Sequence, residues 1–169
     1  MCNKKYWMIG GIAFCVLLGV LLHFVYEWSG NNKLLGYVSA VNESTWEHLK
    51  LLFYPVVIFT AVEWFKCERS NNSFLLSRTL SLLVGMLWIV VAFYTLSGII
   101  GKKDISVINI GIFVLGVIIT FLLTELMIQS YFNPPQNSNI ISAIVLFIMI
   151  VLFSVLTYNP LPIGLFKEP

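Results

Sequence analysis

The sequence predicts an all-α integral membrane protein, a bundle of five transmembrane helices with an interfacial or re-entrant segment between the first two. Three observations carry this. The chain is 59% hydrophobic, only 11% charged, and has a mean hydropathy of +0.90. Its apolar residues fall in runs of the ~20 residues needed to cross a hydrocarbon layer about 30 Å thick. Short polar breaks such as "KCERSNNSFLLSR", "GKKD" and "NPPQNSN" separate the runs. The helices are placed at about 6–26, 45–66, 78–100, 105–129 and 140–158, within a single transmembrane domain over residues 1–169. The lipid bilayer is therefore the first expected partner. The net charge of +2 is dispersed and gives no case for nucleic acid.

The first helix follows Lys4 and Lys5, a basic start like that of a signal peptide. No small-x-small cleavage site follows; "HFVYEWSG" does, so the segment is read as an uncleaved helix. The second contains Pro55, which cannot donate to the Leu51 carbonyl, so a kink or opened turn is expected there. The third runs on to "GKKD", the fourth to about Ile128, and "NPPQNSN" sets off the fifth. The Pro-rich end, "YNPLPIGLFKEP", is read as irregular. Gly11, Cys15 and Gly19 recur every four residues, as do Ser77, Ser81 and Gly85, and Gly116, Thr120 and Thr124. Small residues at that spacing let helices approach closely in lipid.

Five spans put the termini on opposite sides. Lys4, Lys5, Lys66, Arg69 and Arg78 fall at the N-terminal side, and Lys33, Lys50, Lys102, Lys103 and Lys167 at the other. The positive-inside count is a tie, and taking Lys50 as engaged by its neighbours tips the N-terminus to the cytoplasm of a cell-membrane protein. Cys2, Cys15 and Cys67 show no framework spacing and are read as free thiols, which suits a reducing compartment.

Polar residues concentrate at one end. His23 lies ~24 Å along the first helix from Trp7, and Glu27 follows on nearly the same face. The second helix begins in "NESTWEHLK", residues 42–50, with Glu43, Glu47, His48 and Lys50. The intervening "WSGNNKLLGYVSAV" is too short to cross again, so both histidines of the chain and three carboxylates gather on one side. Each has an ordinary reading. Ser44 and Glu47 fit a capping box, Trp28 and Trp46 fit interfacial anchors, and Lys50 can snorkel or pair with Glu43 or Glu47. Five ionisable groups at one depth ask for more, because an uncompensated charge in mid-bilayer costs about 2.5–3.5 kcal/mol. His23, Glu27, Glu43 and His48 are the candidate ligands of a divalent metal, Zn²⁺ preferred with Mn²⁺ or Fe²⁺ as alternatives. Glu43 or Glu47 would be the general base. Glu63 and Glu125 sit near the opposite end, beside Lys66, Arg69 and Arg78, where a structural ion pair is the simpler reading.

With "HFVYEWSG" at 23–30, "NESTWEHLKLLFYP" at 42–55 and "EWF" at 63–65, the chain resembles an uncharacterised bacterial family of small multi-pass membrane proteins marked by an N-E-S-x-W-E-H-x-K string. The resemblance supports the choice of site residues and supplies no activity. It also implies a glycine- and tyrosine-containing tail, of which "NPLPIGLFKEP" matches the start. Three functions fit. The first is a metal-dependent membrane enzyme acting on a lipid-like substrate. The second is a small cation- or proton-coupled transporter, with Glu63 and Glu125 towards the exit and a homo-oligomer supplying more helices. The third is a non-catalytic membrane subunit.

Overall fold

The structure, a computed structural model, describes residues 3–69, 71–101, 106–130 and 134–168. All regular secondary structure among them is helical: α1 Lys4–Trp28, α2 Lys33–Gly36, α3 Thr45–Glu63, α4 Phe74–Ile100, α5 Ser106–Gln129 and α6 Ser138–Tyr158. A π-helical turn, Trp64–Glu68, continues α3, and a 3₁₀ turn, Gly164–Phe166, follows α6. Five of these elements are long and apolar enough to cross a membrane. The expected five-helix fold is therefore present, with ends shifted by a few residues. The largest shift is in α4, which starts at Phe74 rather than near 78. Arg78 reads as a loop charge in sequence, yet it lies inside the helix and is buried against Glu63.

α3 is the central helix, with 56% of its span buried, against 17% for α1 and α6. The outer helices keep exposed Leu, Ile, Val and Phe along their flanks, as lipid-facing helices should. The small-residue stripes lie where helices meet: Gly11, Cys15 and Gly19 are buried on α1, and Ser77, Ser81 and Gly85 on α4. A Cβ at Gly19 would lie 2.5 Å from the Phe113 ring and 2.8 Å from the Leu51 carbonyl oxygen. That carbonyl is the one Pro55 leaves without a helical donor, so glycine allows α1 to close over it while α3 runs on through the proline. Gly85 meets the Gly116 carbonyl and the Thr120 hydroxyl of α5 in the same way.

The segment between α1 and α3 folds onto the end of the bundle. α1 closes through Gly30 and Asn31, both left-handed at φ 70° and 62°. α2 follows, capped by Asn32, whose side chain accepts from the Leu34 N–H. Tyr158 at the end of α6 donates to the Lys33 carbonyl at 2.7 Å, and Ser39 and Ala40 are buried.

Three expectations change. Trp46 is a core residue, packed on Phe153 and Phe166 at 4.7 and 4.9 Å, because its position in the first turn of α3 faces α6 and the C-terminal turn. Trp28 is exposed and stacks on Phe24. Cys67 is disulfide-bonded, which corrects the reading of free thiols; chain spacing does not report which sulfurs folding brings together. Cys15 is free and buried, and Cys2 lies outside the described residues. Finally, Lys50 and Arg78 are both drawn into buried pairs, one from each end. The tie-break that made the N-terminal side cytoplasmic then cancels.

Candidate metal centre

Ser44 caps α3 by accepting from the Glu47 N–H at 3.4 Å, the first half of the capping box. The second half differs. The Ser44 N–H is already taken by the Asn42 side chain at 3.0 Å, and the Glu47 carboxylate reaches further back to the Val41 N–H at 3.0 Å. Glu47 is buried, and its partners account for both oxygens. One accepts from Val41 and faces the Lys50 ammonium at 2.5 Å; the other accepts from the Thr157 hydroxyl at 3.0 Å. Lys50 has no exposed side-chain surface and also donates to the Gly36 carbonyl at 2.8 Å and to Thr157 at 3.0 Å. This network ties the start of α3 to α2 and to the end of α6.

One residue on, a different face of α3 carries His48. Its Nδ1 lies 2.9 Å from the Ser44 carbonyl, and since a carbonyl only accepts, Nδ1 carries the proton. The Nε2 lone pair then points away, as it does in a metal-ligating imidazole fixed from behind. It faces Glu43 Oε2 at 3.4 Å, while Nε2 of His23, on α1, faces Glu43 Oε1 at 3.7 Å. The two rings lie 5.3 Å apart between centroids. One ligand atom from each of His23, Glu43 and His48 lies within 4.8 Å of the others. The imidazoles are about 30% exposed and Glu43 62%, so the cluster opens to the surface.

These separations are too long for the 2.7–2.9 Å of a charge-assisted hydrogen bond. For a tetrahedral ion with ligands at 2.0–2.1 Å, ligand atoms stand about 3.3–3.4 Å apart. His48 Nε2 stands that far from Oε2 of Glu43, whereas His23 Nε2 faces the other oxygen, Oε1, at 3.7 Å, so the two separations do not share one ligand atom. His23 Nδ1 is buried without a partner among the described residues.

A cleft of about 520 Å³, counting its open mouth, runs from Glu43, Thr45 and His48 between α4 and α5. Beyond those polar groups its walls are mainly apolar, formed by Ile89, Phe93, Ile112 and Phe113. Asn109 also lines it, an amide in an apolar stretch that the sequence reading did not single out.

Of the residues singled out from sequence, His23, Glu43 and His48 come together. Glu27 is exposed on α1 and is not in the group. Glu47 and Lys50 belong to the buried network. Glu63 pairs with Arg78 at 2.8 Å, as the ion-pair reading expected, and Glu125 accepts from Gln129 at 2.6 Å. Thr157, which joins both charges of the network, lies 107 residues from Lys50 and carried no local signal.

The chain belongs to a family of unknown function (DUF6512), whose sequence pattern matches residues 1–169. Comparison with curated proteins and with solved structures finds no match.

Proposed function

We propose that this member of a family without an assigned activity holds a divalent cation between His23, Glu43 and His48, and uses it to hydrolyse, or transfer a group on, a lipid-like substrate. One observation carries the reading. Two imidazole Nε2 atoms and both oxygens of one carboxylate converge at 3.4 and 3.7 Å without hydrogen-bonding, the Nδ1 of His48 being engaged behind it. A cation placed among these atoms is one arrangement that satisfies both rings and the carboxylate together. Two imidazoles and a carboxylate suit Zn²⁺ first, then Mn²⁺ or Fe²⁺. With three protein ligands a further position is open for water.

The bound cation would supply a water of lowered pKa. Of the two carboxylates suggested as base, Glu47 is held by Val41, Lys50 and Thr157, which leaves the exposed Glu43. It takes the water proton as the water oxygen bonds to the acyl carbon or phosphorus. The ester or amide bond breaks, and the proton passes to the leaving group. The apolar part of the substrate occupies the cleft along Ile89, Phe93, Ile112 and Phe113, and the scissile group lies beside His48 and Thr45.

Metal analysis of the purified full chain tests this. About one ion per chain is expected, lost in His23→Ala and in His48→Ala, and lost on acidification, since the imidazoles must be neutral to ligate. Native protein without stoichiometric metal overturns the proposal.

A further inference from the structure

The two ends of the bundle differ in cysteine chemistry. Cys67 lies in the π turn Trp64–Glu68, which closes α3 at the end where α1 begins, and it is disulfide-bonded. Cys15, buried within α1, is a free thiol. The His23, Glu43 and His48 cluster stands at the opposite end. There α2 meets the close of α6, where Tyr158 donates to the Lys33 carbonyl at 2.7 Å. Glutathione and thioredoxin keep cytoplasmic thiols reduced, so a disulfide persists on the side of a membrane turned away from the cytoplasm.

Charge placement agrees once burial is taken into account. Lys50 and Arg78 are held in internal pairs, one at each end, and cancel. Lys4 is drawn inward as well, lining a pocket with Glu63, Glu68 and Glu125. That leaves Lys5, Lys66 and Arg69 at the disulfide end, against Lys33, Lys102, Lys103 and Lys167 at the other. Cytoplasmic loops carry the excess of Lys and Arg, which turns the cluster end inward. The margin is a single charge, and the disulfide, which does not depend on it, points the same way.

We propose that the chain crosses its membrane with the start of α1 and the end of α3 on the oxidising, non-cytoplasmic side, and with His23, Glu43 and His48 at the cytoplasmic leaflet. The bond at Cys67 forms by exchange with a disulfide-bearing oxidant on the outer side. A cysteine thiolate attacks the oxidant, and a second thiolate resolves the mixed disulfide. The two thiols lose two protons and two electrons, and the oxidant leaves as a dithiol. At the other face α2 lies on the cytoplasmic leaflet, whose anionic headgroups suit the exposed Lys33. On the metal reading above, the ion would come from the cytoplasm and the substrate from the inner leaflet. The orientation itself does not rest on that reading.

The test uses the full chain expressed in a bacterial host, with thiols trapped by acid before lysis. Cys67 should resist alkylation under denaturing conditions until a reductant is added. In a host strain without its extracytoplasmic thiol oxidant, Cys67 should instead be alkylated directly. Lys33→Cys, at an exposed position of α2, reports the other face. A membrane-impermeant maleimide should label it no more than the native chain in intact spheroplasts, and should label it once they are lysed. Leu161→Cys, exposed beyond the end of α6, should behave in the same way. Labelling of either reporter in intact spheroplasts, or a reduced Cys67 in the native chain, overturns the proposal. Neither measurement reads metal, so a chain without metal would leave the orientation standing, and a reversed orientation would leave the metal test standing.

Discussion

Lys50→Met tests the buried network that holds the candidate site. The methionine keeps most of the stem volume and removes the ammonium from a position with no exposed side-chain surface. Three contacts go, to the Gly36 carbonyl at 2.8 Å, to Thr157 at 3.0 Å and to Glu47 at 2.5 Å. What remains is a carboxylate with 2% exposure, facing only Val41 and Thr157. Removing one partner of such a pair costs about 3–5 kcal/mol, because the other charge stays buried uncompensated. In a chain of this length that is a fall of roughly 6–20 °C in Tm. Adding Glu47→Gln removes the orphaned charge and keeps an acceptor for Val41 and Thr157, so the double variant should recover most of the loss. Thermal unfolding in detergent, followed by far-ultraviolet circular dichroism, measures both. A single variant within about 1 kcal/mol of native, or a double variant less stable than the single, refutes the network as a charge pair.

Two further outcomes separate neighbouring residues. Glu27→Gln should leave metal content unchanged, and Glu43→Gln should lower it, measured by elemental analysis on matched preparations; metal lost from the Glu27 variant would make α1 the source of a second ligand. Gly19→Leu should cost at least about 1–3 kcal/mol, because its Cβ meets the Leu51 carbonyl oxygen, and backbone cannot yield. Gly10→Leu, whose Cβ meets nothing within 4 Å, should stay within about 0.5 kcal/mol by the same unfolding assay.

The five spans were legible because a bilayer imposes length and composition together, and few soluble helices satisfy both. The clustering of His23, Glu43 and His48 was legible for a related reason: charges are rare enough in such a chain that their grouping stands out. Partners were legible as short lists, from which the structure selects Arg78 for Glu63 and Glu47 for Lys50; how deeply each pair is buried was not. Arg78 has the sequence context of a loop residue, and only Glu63, 15 positions earlier and across a helix pair, makes it internal. Trp46 sits where interfacial tryptophans usually sit, but the C-terminal turn returns over it and Phe166 covers its ring. Glu27 follows His23 at helical spacing, yet its face turns outward while His23 meets the loop that carries Glu43. Each of these environments is set by elements far apart in the chain, which a local pattern does not encode.

The stretch 42–50 places its polar groups on two different faces of one helix start, a buried network and the candidate cluster. Successive helical residues are ~100° apart, so Glu47 and His48 point in different directions. Glu47 and Lys50 turn into the bundle, and His48 turns to the cleft. The network and the cluster are mechanically joined. The bond from the Val41 N–H to Glu47 closes a short loop, and Glu43 projects from that loop, with Ser44 fixing His48 from its end. Glu43 is the most exposed of the three candidate ligands and has no hydrogen bond of its own to hold it in place among those described. Its position relative to both imidazoles therefore depends on the loop, and the loop on the buried pair. Lys50→Met should accordingly weaken metal binding as well as stability, although Lys50 touches none of the ligands; a variant that is destabilised but binds metal with native affinity would separate the network from the cluster.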